Sequence, residues 1–377
     1  MIRLVDAMIC HAPGQPLRAE KVQLRAPRPD EVVIEIMASG LCHTDLHQID
    51  GSSAPFPFPV IVGHEGAGIV REVGTSVTSV KLGDHAIPLT IGECGTCSNC
   101  VSGRTNLCEA FLKTLGQPQD WFSLNGETVS AYSGTGTLAR FVLVKETNVA
   151  KIRKDVPFDL ACLIGCAVAT GVGAVTHTAC VEPGQSVAVF GLGGIGLNVL
   201  QGARLAGAST IIGIDRNPLR AEQGKAFGLT HFIHAGVGED VTARLHEIVP
   251  SGVDHSFECV GSPSLMKQAL DITRIGCGCC TILGVPPDGQ TMPLEPFALQ
   301  LGRSIRGSFL GNLKTRTQLP ELLDLYMDGR LNLPDLISHR LSIAQANEGF
   351  DLMRKGDALR IVLTWPDTVK PTASAGG

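Results

Sequence analysis

Cys94, Cys97, Cys100 and Cys108 stand in one short polar stretch with two, two and seven residues between them, a spacing that lets four thiolates converge on one ion. Tetrahedral zinc takes four sulfurs at about 2.3 Å, and a turning backbone is enough to supply them. Gly92, Gly95 and Gly103 give this stretch its freedom to turn. The competing readings are two disulfides or free core thiols. Glu93, Thr96, Ser98, Asn99 and Arg104, interspersed with the cysteines, make a poor core segment. The four cysteines are therefore read as a closed, structural zinc site.

A second chemical signal begins at the apolar run Ser186 to Phe190, which leads into Gly191-Leu192-Gly193-Gly194-Ile195-Gly196 and then into Leu197 to Ala206 with helical spacing. This is a strand, a glycine turn and a helix. Gly191 allows the tight turn, Gly193 lets backbone approach a pyrophosphate, and Gly196 lets helix and strand pack closely. The phosphates would rest at the helix N-terminus, where unpaired amides and the helix dipole favour an anion. A further strand, Ile211 to Ile214, ends in Asp215, nineteen residues after Gly196. An acid there accepts hydrogen bonds from ribose hydroxyls and repels a 2′-phosphate, so NAD is favoured over NADP, with Arg216 and Arg220 nearby to soften the preference.

The elements that must position these groups fall into two patterns. Up to about residue 160 the chain shows short β-like runs broken by Pro and Gly: Val32 to Met37, Val60 to Val62, Gly68 to Val73 and Ala139 to Val144. From about Val168 helix and strand alternate, with strands expected at His255 to Cys259, Cys279 to Val285 and Ser304 to Phe309, which implies a parallel, doubly wound sheet. Gln318 to Asp328 and Ala344 to Arg354 read as amphipathic helices and Leu359 to Thr364 as a last strand. The tail after Pro366 has the composition of a disordered segment.

Composition excludes several function classes. A formal net charge of −5, with Lys and Arg scattered, argues against a nucleic-acid surface. The most apolar stretch, Leu160 to Val175, is shorter than the span of about 20 residues a membrane requires. Met1 to Cys10 contains Arg3 and Asp6 and lacks the apolar core of a signal peptide, so a cytoplasmic enzyme with metal-bound or reduced thiols is expected from the thirteen cysteines. Cys279 and Cys280 suit a buried strand better than a further metal site. His231, His234 and His339 read as surface or capping residues.

Gly40-Leu41-Cys42-His43-Thr44-Asp45, Gly63-His64-Glu65-Gly66-Ala67-Gly68, the four-cysteine loop, Gly165-Cys166 and the glycine turn follow one another in a familiar order. In these motifs the chain resembles the zinc-dependent medium-chain alcohol dehydrogenases, most of all the branch holding the liver-type and glutathione-dependent formaldehyde enzymes. The resemblance runs nearly end to end. It implies an α/β protein with a GroES-like, mainly β catalytic domain over residues 1–167, a Rossmann domain over 168–310, and a segment over 311–377 that returns to the catalytic domain. It also implies a second, catalytic zinc on Cys42, His64 and Cys166, with Glu65 close to the metal. Spacing alone would not have joined Cys42 to Cys166, 124 residues apart. Two thiolates and an imidazole leave one position open for a substrate oxygen. Thr44 and His47 are implied as the proton exit. His43 and Arg360 are implied at the pyrophosphate, and Thr170 and Val285 around the nicotinamide. A homodimer acting on a small alcohol or aldehyde is expected.

Departures from the family bear on the substrate. Enzymes acting on the glutathione adduct of formaldehyde place an acid and an arginine where this chain has Ser53 and Leu112, and commonly a tyrosine in place of His47. Thr90 replaces an aromatic pocket wall, so bulky aromatic, terpenoid or long-chain primary alcohols are expected to outperform ethanol, each buried methylene adding about 0.8 kcal/mol. Trp121 and Phe122 are the residues able to refill that space. The alternatives are the formaldehyde-adduct reaction, a non-redox zinc lyase on the same scaffold, and a non-catalytic zinc and nucleotide sensor.

Overall fold

A computed structural model describes residues 2–53, 55–356 and 358–365, so the tail expected to be disordered lies outside the described residues. The chain forms two compact units. The first comprises Met1–Gly92, Ala110–Gly165 and Ile337–Gly377, the second Glu93–Glu109 and Cys166–Leu336.

In the first unit, strands Arg3–Cys10, Arg18–Leu24, Phe122–Leu124, Glu127–Ala131 and Val60–Ile61 close into a small barrel. Beside it lies a seven-stranded sheet built on Glu31–Gly40, which pairs with Glu65–Val73, Phe141–Lys145 and Arg360–Thr364. The central strand reads EVVIEIMASG, and only Met37 within it is not fully buried. A strand covered on both faces holds charge only when that charge is paired. Glu31 accepts two hydrogen bonds from the Arg25 guanidinium, and Glu35 is held by Arg71 and Arg140. Several barrel strands, including Arg3–Cys10 and Arg18–Leu24, carry too many charged residues to stand out as strands in the sequence. Phe122 lies on a barrel strand and is buried in the core of the first unit, with Trp121 packed on the same cluster.

The second unit contains a six-stranded, all-parallel sheet: His231–His234, Thr210–Asp215, Ser186–Phe190, His255–Glu258, Cys279–Ile282 and Ser304–Gly307. The first strand in sequence lies inside the sheet, and the order reverses beside it, the arrangement of a doubly wound dinucleotide fold. The strands at Cys279 and Ser304 end earlier than expected, which leaves Val285 and Phe309 exposed beyond them. Cys279 and Cys280 are buried as expected, whereas Cys277 is exposed and its sulfur accepts from the Arg274 Nε at 2.8 Å.

The zinc loop differs from its expected place within residues 1–167, because Glu93–Glu109 packs in the second unit. Glu93 accepts hydrogen bonds from the Arg316 amide at 2.9 Å and the Thr315 hydroxyl at 3.2 Å, capping the helix Thr315–Met327. Asn106 donates to the Phe309 carbonyl at 2.8 Å and to Asn312 at 3.1 Å. The first unit likewise resumes at Ile337 and not at 311. Among the described residues no single helix is long and apolar enough to cross a membrane.

Candidate functional site

Cys42 precedes the helix His43–Asp50, His64 and Glu65 begin the long strand Glu65–Val73 and its approach, and Cys166 follows directly on Gly165, where the first unit's middle segment ends. One ligand atom from each of Cys42, His64, Glu65 and Cys166 lies within 4.8 Å of all the others. The four loop cysteines form a second such group.

Both groups fit zinc. In the loop no disulfide forms, and the Cys97 and Cys100 amides each point at a sulfur at 3.4 Å, on Cys94 and Cys97 respectively. Amide hydrogens on sulfur stabilise thiolates. The amides of Thr96 and Cys97, with the Thr96 hydroxyl, bring the Cys94 thiol down to about 6. In the other group the His64 Nδ1 faces Asp45 Oδ1 at 3.0 Å, which places its proton on that nitrogen and leaves Nε2 as the donor to a metal. Burial would lower the affinity of His64 for a proton, but Asp45 and the Cys42 sulfur carry it well above the ordinary histidine range. A site whose neighbours favour positive charge is suited to a cation.

Glu65 is fully buried and forms an ion pair with Arg360, yet its Oε1 has no hydrogen-bond partner among the described residues. Burial pushes its carboxyl up to about 7, against the pull of Arg360. An unsatisfied buried oxygen beside two thiols and an imidazole is one more donor directed at a cation. When bound, zinc on Cys42, His64 and Cys166 supplies Lewis acidity toward an alcohol or aldehyde oxygen, and NAD supplies the hydride chemistry.

Of the other expected residues in the first unit, Thr44 and Arg360 touch this group. The Thr44 Oγ1 lies 3.4 Å from the Cys42 sulfur. His47, one turn on, shares a hydrogen bond with the Ser52 hydroxyl at 2.9 Å. His43 is exposed, and Arg360 is 6% exposed with its guanidinium turned to Glu65. Thr90 is half-buried and its Oγ1 has no partner among the described residues. Asp45 and Tyr132, which pattern reading passed over, touch the site directly. Asp45 could have been noticed as an acid on the first turn of a helix that starts at a ligand. Tyr132 carried no local signal.

In the second unit the glycine turn has the geometry its sequence demands. Gly191 sits at φ +86°, and a Cβ at Gly196 would lie 1.9 Å from the Gly191 carbonyl oxygen. Around Gly193 a Cβ would meet nothing within 4 Å, leaving open the face that a phosphate approaches, at the start of helix Gly194–Leu205. Asp215 bonds the Leu192 amide at 2.7 Å and the Asn217 amide at 2.8 Å, so its carboxylate is held against the turn. Arg216 follows it, and Arg220 donates to Gln223. Helix Ala167–Gly173, which carries Thr170, packs at Gly171 on the Ile195 carbonyl. Val285 stands beside Gly261, whose neighbour Val260 borders Gly191.

A dinucleotide turn together with one closed sulfur site and one mixed Cys/His site defines a zinc- and nucleotide-dependent dehydrogenase. Residues 28–154 match the alcohol dehydrogenase GroES-like domain and residues 194–328 the zinc-binding dehydrogenase domain. The chain is 44% identical to S-(hydroxymethyl)glutathione dehydrogenase of Paracoccus denitrificans over 93% of its own length and 97% of the relative's. An alcohol dehydrogenase zinc-binding domain protein from Burkholderia ambifaria superposes with a TM-score of 0.92 at 33% identity, covering 97% of this chain and 100% of that one. Benzyl alcohol dehydrogenase from Acinetobacter calcoaceticus does so with a TM-score of 0.90 at 31% identity, over 96% and 99%. The chain belongs to the zinc-dependent medium-chain alcohol dehydrogenases. It is an NAD-dependent oxidoreductase with a structural and a catalytic zinc.

Proposed function

We propose that the chain oxidises a terminal hydroxymethyl group on a larger carrier, with S-(hydroxymethyl)glutathione as the leading substrate. The observation that carries this is the 44% identity, over 97% of its length, to a relative named for that reaction. The hydroxymethyl carbon gives a hydride to NAD⁺ and its hydroxyl gives up a proton, leaving an S-formyl thioester. Thr44 takes the proton toward His47 and solvent. His43 and Arg360 serve the pyrophosphate, Thr170 and Val285 flank the nicotinamide, and Asp215 holds the ribose. Thirteen cysteines with no disulfide among the described residues support a cytoplasmic setting. A homodimer is supported by the edge strand Ser304–Gly307, which among the described residues pairs on one side only and follows in the chain on exposed Leu294, Phe297, Leu299 and Leu301.

A second reading, the bulky primary alcohol expected from Thr90, keeps one specific support: Ser53 and Leu112 provide no charge for the ends of glutathione, and Leu112 is 46% exposed. The relative's name outweighs it. Formation of NADH should be followed with formaldehyde plus glutathione, benzyl alcohol, a long-chain primary alcohol and ethanol. A kcat/KM for the adduct at least about tenfold above the others supports the first reading, that factor corresponding to about 1.4 kcal/mol of preferential binding. Preference for benzyl or long-chain alcohol, lost in Thr90→Phe, establishes the second, and preference for ethanol overturns both.

A further inference from the structure

Tyr132 is 3% exposed, and its phenol oxygen donates to the backbone carbonyl of Thr44 at 3.2 Å. The ring stands edge-on to Phe56, with centroids 5.3 Å apart, and edge-on to His64 at 5.9 Å. Its main chain is equally constrained. The Thr135 and Gly136 amides bond the Tyr132 carbonyl at 3.0 and 3.2 Å. The fully buried Thr135 hydroxyl lies 3.1 Å from that carbonyl and 3.1 Å from the carbonyl of Gly63, the residue before His64. One side chain thus joins the segment carrying His64 to the first turn of the helix that begins after Cys42.

The carbonyl that Tyr132 holds belongs to the peptide between Thr44 and Asp45. Because the peptide is planar, holding its carbonyl constrains the backbone angles that flank it, ψ of Thr44 and φ of Asp45. On one side is Thr44, whose hydroxyl lies against the Cys42 sulfur; on the other is Asp45, which orients His64. We infer that Tyr132 is a positioning residue for the reaction, its hydroxyl aiming the Thr44 side chain through the backbone. The inference rests on the proposed role of Thr44 in the proton exit. A tyrosine that merely satisfied its hydroxyl in the core would share the contact but not the coupling to Thr44.

The test compares Tyr132→Phe, Thr44→Val and the double variant of the whole enzyme, all loaded with zinc. Phenylalanine keeps the ring packing and removes only the hydrogen bond. Zinc per chain and melting temperature of Tyr132→Phe should match the parent. The single-turnover rate of NADH formation should fall about three- to tenfold, the range expected for one hydrogen bond, while KM stays within about twofold. In the Thr44→Val background the same change should have no further effect on that rate. An unchanged rate in Tyr132→Phe, an equal fall in both backgrounds, or a fall accompanied by lost zinc or lost stability overturns the inference. If Thr44→Val alone keeps the parental rate, the proton-exit reading fails and this inference falls with it.

Discussion

Asp45 is fully buried, and three donors converge on it: His64 Nδ1 at 3.0 Å, the Gly63 amide at 2.9 Å and the Cys42 amide at 3.2 Å. It ties together the two segments that carry Cys42 and His64 and fixes which imidazole nitrogen faces the metal. Groups of this kind are typically worth about 10- to 100-fold in metal affinity. Asp45→Asn keeps the shape and weakens the acceptor, so dialysis against a chelator should strip one zinc per chain far faster than from the parent while the loop zinc remains. Equal retention of both metals by elemental analysis would contradict the role. The residue was visible in the motif Cys42-His43-Thr44-Asp45, but nothing local separates an acid that orients a ligand from one that caps a helix.

The strand Glu31–Gly40 shows what a buried element requires of its charges. Burial disfavours the Glu31 carboxylate, but the Arg25 guanidinium and the Arg28 amide, both at 2.7 Å, outweigh it and hold the pKa below the ordinary glutamate value. A depressed folded-state pKa gives stability that is present above the unfolded-state value, near 4.5, and lost as pH falls through the folded one. Glu31→Gln should therefore cost about 2 kcal/mol at neutral pH, the scale of a charged hydrogen bond, and the gap to the parent should narrow on acidification below that value. Urea midpoints at several pH values measure it, and a pH-independent gap would show that ionisation of Glu31 is not the source.

For the whole molecule, the six-stranded sheet has two open edges among the described residues, His231–His234 and Ser304–Gly307, and the second adjoins in the chain a run of exposed apolar side chains. Unpaired strand edges flanked by apolar side chains are ready templates for a second chain. Phe297 is 65% exposed. If the proposed homodimer forms there, Phe297→Glu should convert it to monomer in sedimentation while leaving the melting curve of the subunit largely intact. A parent that sediments as a monomer removes the proposal. The zinc loop belongs to the same scale, since its contacts through Glu93 and Asn106 assign it to the nucleotide-binding unit although it is inserted in the chain within the other.

The amino-acid sequence by itself determined what depends on neighbours along the chain. Four cysteines within one loop, a strand running into Gly191-Leu192-Gly193-Gly194-Ile195-Gly196, and the alternation of helix and strand after residue 168 are local patterns, and local spacing carries their chemistry. Charged or very short strands such as Arg18–Leu24 and Phe122–Leu124 escaped because their cover comes from distant segments, not from their own periodicity. Only the tertiary structure put Cys166 beside Cys42, paired Glu65 with Arg360, and set the Tyr132 hydroxyl on the Thr44 carbonyl. Each of those contacts joins residues far apart in the chain, and what brings them together is the burial of whole sheets, a property that no window of sequence contains.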